Sequence, residues 1–244
     1  MTTGTTGLMG PGPGSGDSGG HRGAPGPLRL LTAPTAPRTA VLLLHGGRAD
    51  SLAPPPRLHL PALRMRPFGS ALARSLRADD PLLALVRYRH RGWNGARADA
   101  AQDAGQALDE LAARAPGVPV VLVGHSMGGR AALRIGGHPA VRGIVALAPW
   151  CPEDEPVGHL RGRTLALLHD PCDRVTRAED TWHFADRARM GGSRVHAIAM
   201  PSGGHAMLRG ARHWHRLTTH LVTAVLDGTP PRIAPGRPAP GPRS

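Results

Sequence analysis

A chain of 244 residues is long enough for one α/β domain or two small ones, with a core that needs no disulfide or metal staple. Its formal charge of +13 raises the prospect of a nucleic-acid partner, but all 30 basic residues are Arg, scattered without a dense run, and few aromatic residues are present to stack bases. Nucleic acid is therefore not expected as a ligand, and two cysteines, Cys151 and Cys172, are too few for a zinc site of the usual spacing.

In chain order, residues 1–26 are rich in Gly, Pro, Ser and Thr and too poor in large apolar side chains to offset their ordering entropy, so a disordered tail is expected. They lack the basic start and apolar stretch of a secretory signal, and no apolar run approaches the ~20 residues needed to span a bilayer. A cytoplasmic protein with no membrane partner and two free thiols is the expectation. A single domain is expected over residues 27–228, followed by a second disordered, Pro- and Arg-rich tail over 229–244.

Within that domain, short apolar runs alternate with longer periodic ones. TAVLLLH (39–45), LLALVRY (82–88), VPVVLVG (118–124), VRGIVALAP (141–149), TLALLH (164–169) and RVHAIAM (194–200) read as strands buried on both faces. Helical spacing is seen at 67–76, 97–115, 127–135, 177–190 and 206–226; in the second of these, Leu108 and Leu111 lie on one side, Asp109 and Glu110 on the other. Repeated β-α-β order predicts an α/β fold: a mainly parallel central sheet with helices on both faces. Ligands of such sheets bind beyond the carboxyl ends of the strands, which directs attention to the residues that follow each one.

After the strand ending at Gly124 comes GHSMGG (124–129), a G-x-S-x-G sequence between a strand and a helix. A sharp turn there would lift Ser126 out of the sheet, with Gly124 and Gly128 avoiding clashes that a Cβ would cause, and the helix N-terminus would face a developing oxyanion. The bland alternative is a Gly-rich turn with an ordinary serine cap. The first strand ends in His45-Gly46-Gly47, a turn suited to supplying a second oxyanion amide, so the backbone N–H groups of Gly47 and Met127 are the candidate donors.

With HGG, GHSMGG, HDPCD and GGHAM in that order, the chain resembles the α/β-hydrolase superfamily over roughly residues 38–227. The resemblance implies a serine hydrolase of esters, thioesters or amides, although some members carry out acyl transfer or perhydrolysis. It also implies the order nucleophile, acid, histidine. His205, in the loop after the last strand, is the candidate base, because most other histidines lie on helices or within a strand. Similar hydrolases show H-G-x-x-D after the strand that bears the acid; His169-Asp170-Pro171-Cys172-Asp173 matches at His169 and Asp173 but has Asp170 in place of the glycine. Asp173 is thus nominated as the acid, with Asp170 and the acids of CPEDEP (Glu153, Asp154, Glu155) left as alternatives. Asp170, preceding a proline, suits capping of its own turn.

The expected chemistry is an uncapped serine hydrolase using Ser126, His205 and Asp173 through an acyl-enzyme on a small-molecule acyl substrate, with no metal or organic cofactor. Only about a dozen residues separate the strands at 141–149 and 164–169, too few for a cap domain, so an open pocket walled by the loop 48–61 is expected. Arg89, Arg91, Trp93 and Trp150 are candidate pocket residues, or else surface charges and gap-filling tryptophans. A non-catalytic ligand-binding relative is the reading from another class, and the oligomeric state is left open.

Overall fold

The computed structural model describes residues 1–2, 26–56 and 58–230. The two predicted tails fall almost wholly outside these residues. Seven strands form one sheet: β1 (Leu28–Leu30), β2 (Ala40–Leu44), β3 (Leu82–Val86), β4 (Val120–His125), β5 (Val141–Leu147), β6 (Thr164–His169) and β7 (Arg194–Ala199). Their order across the sheet is β1-β3-β2-β4-β5-β6-β7, all parallel except β1, which runs antiparallel to β3. β2, β3 and β4 are buried at every position, as expected for strands covered on both sides.

Alternate side chains of each strand feed two cores. Leu42, Leu44, Leu122 and Ile144 face α2 (Asp99–Arg114), α3 (Met127–Arg134) and α4 (Ala178–Met190). Val41, Leu43, Val123 and Val145 face α1 (Leu60–Ser75) and α5 (Ala211–Asp227). The chain leaves β2 toward β3 on one side and leaves β4 toward β5 on the other, so the connections from the adjacent carboxyl ends of β2 and β4 diverge at a switch point. A crevice at that place is a consequence of the strand order.

Three boundaries differ from the sequence reading. β1 was not predicted, because a three-residue LRL run carries no usable period. α1 begins at Leu60, with Pro61 in its first turn, and not at Pro67, which lies inside the helix on its exposed side. α5 begins at Ala211, after Gly210 in the left-handed region at φ 68°, which leaves 200–210 free to form a loop over the sheet edge. Between β5 and β6 there is one short 3-10 turn, Gly158–Leu160, and no cap domain. No helix of the described residues is long and apolar enough to cross a membrane.

Candidate active site

Ser126 sits between β4 and α3 with φ 55° and ψ −121°, a conformation that costs a non-glycine residue about 1–3 kcal/mol. The surroundings hold it there. A Cβ on Gly124 would collide with the Gly128 carbonyl, and one on Gly128 with the carbonyls of Leu44 and His45. The Ser126 amide donates to the Leu147 carbonyl at 3.0 Å, while its own carbonyl accepts from Trp150 and Arg130. The two flanking glycines are therefore steric requirements of a turn wedged against β2, and the serine hydroxyl is left free to face the loops.

Those loops bring it a histidine. Ser126 Oγ lies 2.9 Å from His205 Nε2, and His205 Nδ1 lies 2.8 Å from Asp173 Oδ2. The serine can thus donate to Nε2 while Nδ1–H donates to the carboxylate, the arrangement needed to take a proton from a nucleophilic hydroxyl. Burial lowers the His205 pKa from its ordinary value, only partly opposed by Asp173. Burial alone would raise Asp173, but hydrogen bonds from His169, the Val175 amide and His205 outweigh it and hold the carboxyl well below the usual range. Base neutral and acid charged is the state in which such a relay starts.

Asp170 occupies a different position. Its carboxylate accepts from its own turn, the Cys172 amide at 2.8 Å, and from the Gly204 amide at 2.7 Å. It therefore ties the acid loop to the residue immediately before His205. Of the other acids, Glu153 and Asp154 are exposed, whereas Glu155 is fully buried between Arg130 and Arg134. None of these carboxylates is bonded to His205.

Three polar residues complete the arrangement without having been singled out as site residues. Thr176 Oγ1 donates to Asp173 Oδ2 at 3.0 Å and lies 3.1 Å from His205 Nδ1. His169, buried at the end of β6, receives the Thr181 hydroxyl on Nδ1 and directs Nε2–H at Asp173 and the Thr176 carbonyl. His125, beside Ser126, donates Nε2–H to the His205 carbonyl at 2.9 Å. Burial lowers its pKa to about 3, so it is a neutral tether for the histidine loop. The HDPCD motif signalled His169; nothing in the sequence marks Thr176.

On the other flank, the turn after β2 lies against the elbow. A Cβ on Gly46 would sit 3.3 Å from Ser126 Cβ, and one on Gly47 would overlap the Met127 side chain and the Arg91 carbonyl. Among the described residues, neither the Gly47 nor the Met127 amide has a hydrogen-bond acceptor. Two unpaired amides thus lie at the contact between this turn and the elbow, one of them at the start of a helix. His45 shapes the turn by donating Nδ1–H to the Gly46 carbonyl at 2.8 Å, and burial keeps it neutral by lowering its pKa to about 4.

Comparison with known proteins agrees with this architecture. The serine aminopeptidase, S33, family model matches residues 87–170, a span that includes Ser126 and stops short of Asp173 and His205. MGS-M1, an α/β-hydrolase enzyme from a Medee basin deep-sea metagenome library, superposes with a TM-score of 0.60 at 16% identity, covering 82% of this chain and 92% of its own. The chain has the α/β-hydrolase fold. A serine hydrolase without a lid from Xanthomonas campestris gives 0.57 at 16% identity, over 83% and 89% of the two chains. The esterase Est22 gives 0.62 at 14%, over 82% and 76%. No curated protein matches the sequence.

In this α/β-hydrolase fold the candidate pocket residues separate. Trp93 is not a pocket residue: it is only 2% exposed, and its ring is covered by the Arg130 guanidinium at 3.9 Å. Trp150 packs edge-on to Trp93 on the other side of the same guanidinium, though its amide holds the Ser126 carbonyl. Arg89 is committed to Asp103 through Nε and its own amide. Arg91, by contrast, lines a cavity of about 330 Å3 with Gly47, Arg48, Pro56, Leu58, His59, Leu60 and Pro61. The loop 48–61 thus supplies most of the lining of a cavity next to Gly47. Larger surface clefts lie between α1 and α5 and at the amino ends of β5 to β7, away from Ser126. Cys151 is buried and Cys172 exposed, with no disulfide between them.

Proposed function

We propose that the protein is a serine hydrolase that cleaves a small ester or thioester through an acyl-enzyme on Ser126. The observation that carries this reading is the continuous chain Ser126 Oγ, His205 Nε2, His205 Nδ1, Asp173 Oδ2, with links of 2.9 and 2.8 Å. In the first half-reaction His205 accepts the Ser126 proton as the hydroxyl adds to the acyl carbonyl. The amides of Gly47 and Met127 stabilise the oxyanion, and the protonated His205 returns the proton to the departing alcohol or thiol. In the second, the same histidine takes a proton from water as the water adds to the acyl carbonyl, then delivers it to Ser126 Oγ as the acyl–oxygen bond breaks, releasing the acid. Asp173 stays ionised throughout and favours the imidazolium that forms transiently in each half-reaction.

The lidless and esterase descriptions of the structural neighbours suit an open site and an ester substrate. The aminopeptidase in the matching family's description points instead to a peptide amide. An aminopeptidase must hold a substrate ammonium with carboxylates, and none of the residues lining the cavity beside Gly47 is acidic. That composition favours the ester. The test is turnover of 4-nitrophenyl butyrate and of leucine 4-nitroanilide by the wild type and Ser126→Ala. Ester turnover that vanishes in the variant is expected; faster anilide than ester turnover would make the aminopeptidase reading the better one. Ester turnover that survives in Ser126→Ala would exclude Ser126 as nucleophile.

A further inference from the structure

The cavity beside the oxyanion turn has an unusual inventory. Arg48, His59 and Arg91 line it and no acid does. Arg91 is held by its main chain, which donates to Ala53 and accepts from Arg48, yet its side-chain Nε is buried without a partner among the described residues. His59 Nδ1 is likewise buried and unpaired. His59 also precedes α1, whose first turn contains no acidic residue and receives no side-chain cap. Arg64, one turn further on, is half-buried, and its charge lowers the pKa of both His205 and His125. Among the described residues, Arg48, Arg64 and Arg91 form no salt bridge.

A surplus of arginine over acid makes unpaired guanidinium groups on the surface unremarkable. Burial distinguishes Arg91, whose Nε is enclosed, and half-buried Arg64; Arg48 is exposed. A donor removed from water without an acceptor costs about 1–3 kcal/mol, a penalty that a bound anion would remove. The remaining walls, Pro56, Leu58, Leu60 and Pro61, are apolar, and Gly47, also in the lining, carries a proposed oxyanion amide. A proposed oxyanion amide, short apolar walls and cationic groups thus share one space of a size for a small acyl chain.

We propose that this cavity is a carboxylate subsite, so that the preferred substrate is a short ester or thioester whose acyl chain ends in a carboxylate. The inference rests on the hydrolase reading above for its chemistry, but not for its binding. The Arg91 guanidinium supplies a fork matched to the carboxylate, with Arg48 and Arg64 adding long-range attraction.

Two measurements on the full chain separate the claims. The first compares kcat/KM for 4-nitrophenyl hemiglutarate and its neutral analogue 4-nitrophenyl valerate. The expected preference for the anionic ester is about ten-fold or more at low salt, falling as NaCl is raised. Arg91→Met should bring the ratio close to one, Arg48→Met should lower it about three-fold, and Arg77→Met, on the surface, should leave it as in the wild type. A wild-type ratio of one or less, or a ratio unmoved by both Arg91→Met and Arg48→Met, would overturn the subsite. The second measurement is calorimetric titration of Ser126→Ala with glutarate and with inorganic phosphate. Glutarate binding lost in the Arg91→Met background is expected. Phosphate binding in place of glutarate would overturn the carboxylate assignment. Glutarate binding without turnover of either ester would leave the subsite standing and remove the hydrolase reading; neutral-ester turnover without glutarate binding would do the reverse.

Discussion

The two loops that flank Ser126 are built on opposite principles. In the loop after β6, every carboxylate oxygen of Asp170 and Asp173 has a protein donor, and Thr176 and His169 fill the gaps between them. Around the loop after β2, Arg91 Nε and His59 Nδ1 are buried with no partner among the described residues. A saturated network fixes geometry, because each group restrains its neighbours and leaves no polar atom to be bought by water. An unsaturated one keeps its donors for a ligand. The same contrast separates the arginines: Arg130 and Arg134 are spent on buried Glu155, stacked against Trp93 and Trp150, while Arg48, Arg64 and Arg91 are not paired among the described residues.

If the acid loop is machinery and the other loop a receptor, substitutions should separate by kinetic parameter. The largest effect is expected for Asp173→Asn, which keeps the shape but removes the charge that favours the imidazolium: kcat should fall by about 10⁴. Asp170→Asn should cost far less, about ten-fold in kcat, since it loosens the Gly204 amide and the histidine loop without touching the imidazole. Equal losses for the two would erase the distinction between acid and clamp. Thr176→Val, which removes a hydroxyl shared by Asp173 and His205, should lower kcat several-fold with KM nearly unchanged. A change confined to KM would move Thr176 to the substrate side of the comparison.

The smallest effect expected is in pH dependence. Activity requires neutral His205, so kcat/KM should rise with pH, and because burial lowers that pKa the midpoint should lie below the ordinary histidine value of 6.5. Arg64 also disfavours the imidazolium, so Arg64→Met should move the midpoint to higher pH. A midpoint above 6.5 in the wild type, or a shift to lower pH in the variant, would contradict the electrostatic description of this edge.

Much of the fold was legible in the sequence because strands buried on both faces, such as AVLLL and VVLVGH, leave uninterrupted apolar runs. β1 and the start of α1 were not, since a three-residue edge strand has no period and Pro61 and Pro67 offer rival helix starts. Within the site, motif order nominated Ser126, Asp173 and His205, and the structure brings those three side chains together. The clamp by Asp170 could not be read, because its second partner, Gly204, is 34 positions away. Trp93 read equally as pocket or filler until Arg130 was seen to cover it. Nothing in the sequence singled out Arg64, which lies before the predicted helix start at residue 67; its charge disfavours the imidazolium of two histidines, His125 and His205.

The central claim is that Ser126 is a nucleophile activated by His205. The most direct measurement is intact-mass and peptide-level detection of the adduct formed with a fluorophosphonate, in the wild type, Ser126→Ala and His205→Ala. A single adduct on Ser126, absent from Ser126→Ala and formed orders of magnitude more slowly in His205→Ala, is expected. Labelling elsewhere, or labelling of Ser126 at the same rate without His205, would contradict it.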